Sequence, residues 1–306
     1  MYAKYQDAMT SVLHHGGPSG FITFTANPEW DEVKGSLAFG QKAQDRPDVV
    51  VRVFGAKLKS LLEDLRTMFG RQLCRVHVIE FQKRGLPHAH IVLILAVPDR
   101  PRTSAHIDSM TSAELPPLPA DDDQSELAQK QRKLRKLVLK HMVHNDCTGA
   151  KGTNCPCYDP VKKRCSGNFP FKYCDCTTIG DERSKAAYRR RRGKMWEHED
   201  EIGRTITNEW IVPYNASLLL KYECHLNFEV VTAEHAIKYL FKYCFKGADN
   251  ASAAVKATQR IVDKIGNYQN HRYLGSAEAM WRLLKFWISE NTDTVVRMLV
   301  DYPEQR

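Results

Sequence analysis

Three groups of residues in this sequence have types and spacings suited to chemistry. The first lies in Glu80 to Leu95, EFQKRGLPHAHIVLIL. An apolar, β-branched run from Cys74 to Phe81, turn residues at Lys83-Arg84-Gly85 and a second apolar run from His90 predict a β-hairpin. His88 and His90 stand two apart in its second strand, so both imidazoles project from one face. Pro87 lacks a donor and suits a strand start or an edge. Neutral imidazoles facing a carboxylate or amide make a small open site for a divalent cation. If the turn holds an odd number of residues, Glu80 and Gln82 fall on the same face as the histidines. Glu80 adds the charge that Mg²⁺ or Mn²⁺ favours, and Gln82 is the neutral alternative. Taken alone, His-x-His is more often two half-exposed strand histidines than a metal site.

The second group is Tyr239 and Tyr243, four residues apart on a helix predicted from Ala233 to Lys246. They share one face, and lysines follow each by three residues, Lys242 and Lys246. Gly247 has the character of a C-terminal cap. An amphipathic helix with half-buried tyrosines and snorkelling lysines would read the same way. A phenol ionises near pH 10, so it attacks phosphorus at neutral pH only when activated.

The third group is a patch of His141, His144, Cys147, Cys155, Cys157, Cys165, Cys174 and Cys176 in a stretch rich in Gly, Pro, Asn and Asp. So few apolar residues do not pack unaided, and a structural Zn²⁺ would supply the missing stability. The spacing fits no standard finger, which leaves the ligand set open. Downstream, Arg189-Arg190-Arg191-Arg192 reads either as a solvated basic loop or as a grip on phosphates.

The elements that must position these groups follow the same logic. Tyr2 to His15 has helical spacing and ends at Gly16-Gly17-Pro18, and Phe21 to Thr25 alternates as a strand before Asn27-Pro28. Val49 to Phe69 repeats apolar residues as an amphipathic helix. Helix, strand, helix and hairpin predict an α+β fold, with an antiparallel central sheet and flanking helices. Five prolines and Asp121-Asp122-Asp123 mark Pro98 to Asp123 as a solvated loop or domain edge, and helical spacing returns from Gln124 to Asn145. Trp210 to Tyr222 reads as a strand and an apolar segment, and His225 to Val231 as another strand. Ser276 to Ser289 reads as a closing helix with a Ser N-cap.

With 306 residues and 42% hydrophobic content, the chain has the means to build a sizeable core. A net charge of +9 favours an anionic partner. Met1 to Thr10 is too polar for a signal peptide and no run of about 18 apolar residues occurs, so neither secretion nor a membrane span is expected. Nine cysteines are then expected as thiols or metal ligands. No G-x-x-x-x-G-K-[ST] occurs, so there is no P-loop motor.

EFQKRGLPHAH resembles the metal-binding motif in the Rep nuclease domain of Helitron rolling-circle transposases, of the HUH endonuclease superfamily. FITFTANPEW (21–30), DRPDVVVRVFGAKLK (45–59), WIVPYNASLLLKY (210–222) and IKYLFKYCFKG (237–247) resemble the same group, in the same order. The resemblance implies a Rep-type fold over residues 1–306, with 98–195 carrying an acidic loop, a helix and the Cys/His insertion, and no helicase domain. It implies that His88 and His90, with Glu80 or Gln82, bind Mg²⁺ or Mn²⁺. Tyr239 and Tyr243 would be the nucleophiles, supported by Lys242 and Lys246. His144, Cys147, Cys157 and Cys165 resemble positions in the group, which makes them the preferred zinc set, with Cys174 and Cys176 as substitutes. The expected activity is metal-dependent nicking and rejoining of single-stranded DNA through a 5′-phosphotyrosine. The nucleus is the expected location, and a helicase domain or protein would act in trans. An inert DNA-binding module and a hydrolytic nuclease without a covalent intermediate are the other readings.

Overall fold

The computed structural model describes residues 2–81, 85–144, 147, 157–179, 186–201, 203–231 and 274–296. Five strands form the central sheet: β1 (Gly20–Thr25), β2 (Gln72–Phe81), β3 (Pro87–Leu95), β8 (Leu226–Val230) and β9 (Ser289–Asn291). Their order is β8-β1-β3-β2-β9, and every neighbouring pair is antiparallel. The α+β expectation with a central antiparallel sheet therefore agrees with the structure. β4 (Tyr158–Asp159) and β5 (Arg164–Cys165), and β6 (His198–Glu199) and β7 (Thr205–Ile206), form two short outlying ladders.

Period-two alternation divides the sheet between two cores. One face carries Ile22, Phe24, Ile79, Ala89, Ile91, Leu93, Leu226 and Phe228. It is covered by α3 (Pro47–Met68), whose buried residues Val50, Val51, Phe54, Leu58, Leu61, Leu62 and Leu65 recur at three- and four-residue spacing. Pro47 opens that helix, where a missing N–H costs nothing. Its chain leaves through Gly70 at φ +96°, where a Cβ would stand 2.5 Å from the Asp99 side chain. The helix α7 (Ser276–Leu283) packs beside α3, with Trp281 tilted on Phe54 at 5.9 Å. The opposite face buries Val76, Val78, Val92, Ile94 and Phe21 against Ala8 and Val12 of α1 (Tyr2–His15).

A third core lies outside the sheet. Leu115, Val138, Met142, Ile206, Ile211, Tyr214 and Leu219 pack around α5 (Glu126–His141) and α6 (Ala216–Tyr222). Among the described residues the remaining α-helices are short, α2 (Asp31–Lys34) and α4 (Ser104–Met110).

Three sequence expectations need correction. The 98–123 stretch is not a solvated loop throughout, because Ile107, Met110, Ala113 and Leu115 are buried, Ile107 and Met110 in the core beneath the sheet and Leu115 in the third core. Trp210 to Tyr222 contains no strand. Ile211 and Tyr214 make isolated bridges, and Asn215 then caps α6 by accepting from Leu218 N at 3.0 Å. Ser276 is no N-cap either: Gly275 holds that position, and Phe286 to Asn291 turns back to form the sheet edge.

Candidate metal centres and nucleic-acid interface

β2 ends at Phe81 and β3 starts at Pro87, so five residues link them, an odd number. Glu80 therefore pairs with His88, and Val78 with His90. Paired residues share a face, so Glu80, His88 and His90 project together, as the parity argument requires. Gly85, at φ +80°, supplies the left-handed residue that the turn needs. Pro87 begins the middle strand of the sheet, a strand start and not an edge.

β1 completes the site from the other side. Its register sets Thr25 opposite His88 and Thr23 opposite His90. Thr25 Oγ1 lies 2.8 Å from His88 Nδ1, and Thr23 Oγ1 lies 3.3 Å from His90 Nδ1. An imidazole whose Nδ1–H is held by an oxygen keeps the Nε2 lone pair for a ligand. His88 is 6% exposed, and its Nε2 is buried with no hydrogen-bond partner among the described residues. Burial, reinforced by the neighbouring imidazoles, pushes its pKa down to about 4, so it is neutral at pH 7. Neutral imidazole is the form that binds metal. His90 stacks on Phe21 with ring centroids 5.9 Å apart, and its Nε2 meets Glu80 Oε2 at 3.1 Å.

Two imidazoles, one carboxylate and a buried ring nitrogen without a partner fit a hard divalent cation of mixed N/O ligation. The three side chains do not converge as tightly as the cysteine cluster below, since residues two apart on a strand start about 6.6 Å apart. The threonine supports were missed from sequence. The Thr-x-Thr alternation in FITFT was the available signal, because its parity matches that of His-x-His.

The second centre is tighter. The ligand atoms of His144, Cys147, Cys157 and Cys165 all lie within 4.8 Å of one another. His144 Nε2 is 3.6 Å from Cys147 Sγ and 3.4 Å from both Cys157 Sγ and Cys165 Sγ. A tetrahedron with bonds of about 2.3 Å to sulfur and 2.05 Å to nitrogen has N···S edges of about 3.5 Å. The cluster therefore has the donor set and the size of a structural metal site. Several elements hold it. His144 leaves α5 and donates its N–H to Trp210 O at 2.8 Å, while its ring stacks on Phe169 at 4.1 Å. The β4–β5 hairpin sets Cys165 opposite Tyr158, and Ser166 N donates to Cys157 O at 2.7 Å, which brings the two cysteines near each other. Although burial opposes it, backbone N–H groups of Phe169 and Gly167 help to hold the Cys165 thiol below the usual thiol range. His141 is not part of the cluster: it ends α5, and its carbonyl accepts from His225 Nδ1 at 2.7 Å. Cys174 is turned away, donating to Cys176 O at 2.6 Å.

The arginine run divides into separate roles. Arg190 is 2% exposed, and its guanidinium donates to the carbonyls of Ala113, Asn208 and Ile211. Arg191 donates to both carboxylate oxygens of buried Glu114, at 2.9 and 2.6 Å. Arg189 pairs with Glu114 and Asp108 at 3.3 Å each. Arg192 lies over the Tyr173 ring at 4.2 Å. Much of this positive charge thus organises the third core. Gln82, Tyr239, Lys242, Tyr243 and Lys246 lie outside the described residues.

Residues 1–93 match the family model for the Helitron helicase-like domain at the N-terminus. This part of the chain is similar to a Helitron N-terminal domain. The match runs from α1 through β3 as far as Leu93, and so takes in Glu80, His88, His90 and both supporting threonines. No curated protein matches the chain. That similarity points to a transposon-associated function with nucleic acid as partner. Among the described residues, no helix is long and apolar enough to cross a membrane.

Proposed function

We propose that the chain is a metal-dependent endonuclease and strand transferase for single-stranded DNA, built on an HUH-type nuclease fold. The observation that carries this reading is the buried, unpartnered Nε2 of His88, fixed by Thr25 beside Glu80 and His90. Mg²⁺ or Mn²⁺ bound by His88, His90 and Glu80, or Gln82, would polarise the scissile phosphate and offset charge on its oxygens. Tyr239 or Tyr243 would attack phosphorus through its phenolic oxygen after losing its proton. The new bond joins tyrosine to the 5′ phosphate, the P–O3′ bond breaks, and the 3′ oxygen takes a proton. Lys242 and Lys246 would favour the phenolate or neutralise the phosphate. One phosphodiester replaces another, so the step reverses without nucleotide hydrolysis. A second tyrosine permits a second cleavage while the first strand remains attached.

In this reading the His144–Cys147–Cys157–Cys165 cluster holds Zn²⁺ and stiffens the insertion. Arg192 is the exposed member of the arginine run, its head over the Tyr173 ring, and is the best placed to meet phosphate. The protein would act on nuclear DNA, alongside a helicase domain or protein. An inert DNA-binding module is the second reading, favoured by the contact already made between Glu80 and His90.

Purified protein incubated with labelled single-stranded oligonucleotides in Mn²⁺ or EDTA, read on a denaturing gel, separates these readings. A metal-dependent, SDS-resistant adduct lost in Tyr239→Phe or Tyr243→Phe, and absent in His88→Ala/His90→Ala, supports the proposal. Binding with no adduct on any substrate supports the inert module. Cleavage without an adduct indicates hydrolysis.

A further inference from the structure

The chain just before the edge strand β9 carries an exposed indole, Trp287. Asn291, Glu290 and Ser289 pair with Val76, His77 and Val78, and Ile79 N donates to Ile288 O at 2.7 Å. Continued two residues before β9, that register would bring Trp287 opposite Glu80. Phe286 and Ile288, on either side of it, both pack into the core under α3. Trp287 between them points the other way, toward the face of Glu80 and His88. Its side chain is 80% exposed, while its backbone is fixed by the Trp281 indole, which donates to Trp287 O at 3.2 Å. Exposed Lys285 precedes it by two residues. Glu80, His88 and Thr25 form one row across three strands, and Trp287 extends it at the sheet edge. With strands about 4.8 Å apart, Trp287 stands roughly 10 Å from His88.

We propose that Trp287 is a stacking platform for a base of single-stranded DNA, holding the strand beside the Glu80–His88–His90 site. This rests on the nucleic-acid reading of that site. A tryptophan carries the largest aromatic area of any side chain, and leaving it in water on a rigid edge gains nothing for folding. Every base presents a π-face, so such a platform accepts any sequence. Duplex DNA keeps its bases stacked inside and offers none. The indole is a positioning residue: it sets which nucleotide lies at the metal site and takes no part in bond exchange.

The test uses the full chain in EDTA, so that binding is read without cleavage. The probe is fluorescein-labelled oligothymidylate of about 20 nucleotides, followed by anisotropy, with a duplex of equal length beside it. Trp287→Ala is expected to weaken oligothymidylate binding roughly 5- to 150-fold. Trp287→Phe should recover most of the loss, and duplex binding should not change. Quenching of intrinsic fluorescence by the oligonucleotide should be smaller in Trp287→Phe than in the wild type. An unchanged melting temperature in Trp287→Ala distinguishes a lost contact from a lost fold. Equal oligothymidylate binding by Trp287→Ala and wild type, or no binding by either, would overturn the proposal. So would loss of self-association with DNA binding intact, which would assign the indole to a protein contact. A protein that binds through Trp287 but never forms the covalent adduct would refute the nuclease reading and leave the platform standing.

Discussion

Thr25→Val is the most informative single change at the hairpin site. Valine nearly matches threonine in shape and suits a strand, so β1 should keep its register with β3. What is lost is the oxygen 2.8 Å from His88 Nδ1. Two consequences follow from one deletion. A buried Nδ1–H without a partner costs about 1–3 kcal/mol of stability. The ring also loses the contact that keeps its proton on Nδ1, so part of the population moves the proton to Nε2, where a cation would bind. Partners of this kind are worth about 10- to 100-fold in metal affinity, or about 1.4–2.7 kcal/mol. Thr23→Val is the internal comparison, since its oxygen stands 3.3 Å from His90 Nδ1 and holds that ring less firmly. Calorimetric titration with Mn²⁺, on protein first saturated with Zn²⁺ at the cysteine cluster, measures both. The expected order of affinity is wild type, then Thr23→Val, then Thr25→Val. Equal Mn²⁺ affinity in all three proteins, or a larger loss in Thr23→Val, would refute the reasoning from the threonine supports.

Other predictions are independent of that one. Protein purified with Zn²⁺ should hold about one equivalent by atomic absorption, lost in Cys165→Ser and kept in Cys174→Ser. Arg190→Ala should destabilise the fold by about 3–5 kcal/mol in urea unfolding, because three buried carbonyls lose their donor. Arg192→Ala should leave the unfolding midpoint in place and lower the salt slope of DNA binding by about one. Buried His77 has its pKa pushed down to about 4 by desolvation and by Arg75. It binds a proton more readily when unfolded, so its share of stability is complete above pH 6.5 and falls away toward pH 4, by on the order of 3 kcal/mol. His77→Leu should show a shallower loss of stability between those pH values. An equal pH slope in both proteins would rule out His77 as a source of acid sensitivity.

The hairpin site was legible in the sequence because strand parity is local. Once the link from Phe81 to Pro87 holds five residues, the pleat sets Glu80 and both histidines on one face, whatever packs around them. The preferred zinc ligands, taken from the Helitron resemblance, coincide with the four residues that the structure brings together. What the sequence hid depends on partners distant along the chain. Arg189 to Arg192 read as one basic run, yet Glu114, about 75 residues away, and the carbonyls of Asn208 and Ile211 draw three of the four into ion pairs and burial. The proline-rich 98–123 stretch read as a solvated loop or domain edge, and only the first and third cores reveal which of its few apolar residues are buried. Trp287 belonged by pattern to a closing helix. Its place opposite Glu80 follows from an edge pairing across about 200 residues. Composition and period determine which residues share a face, because neighbours in sequence set those. Which faces meet, and so which charges are neutralised and which aromatic ring stays in water, is decided only when the sheet and the three cores close.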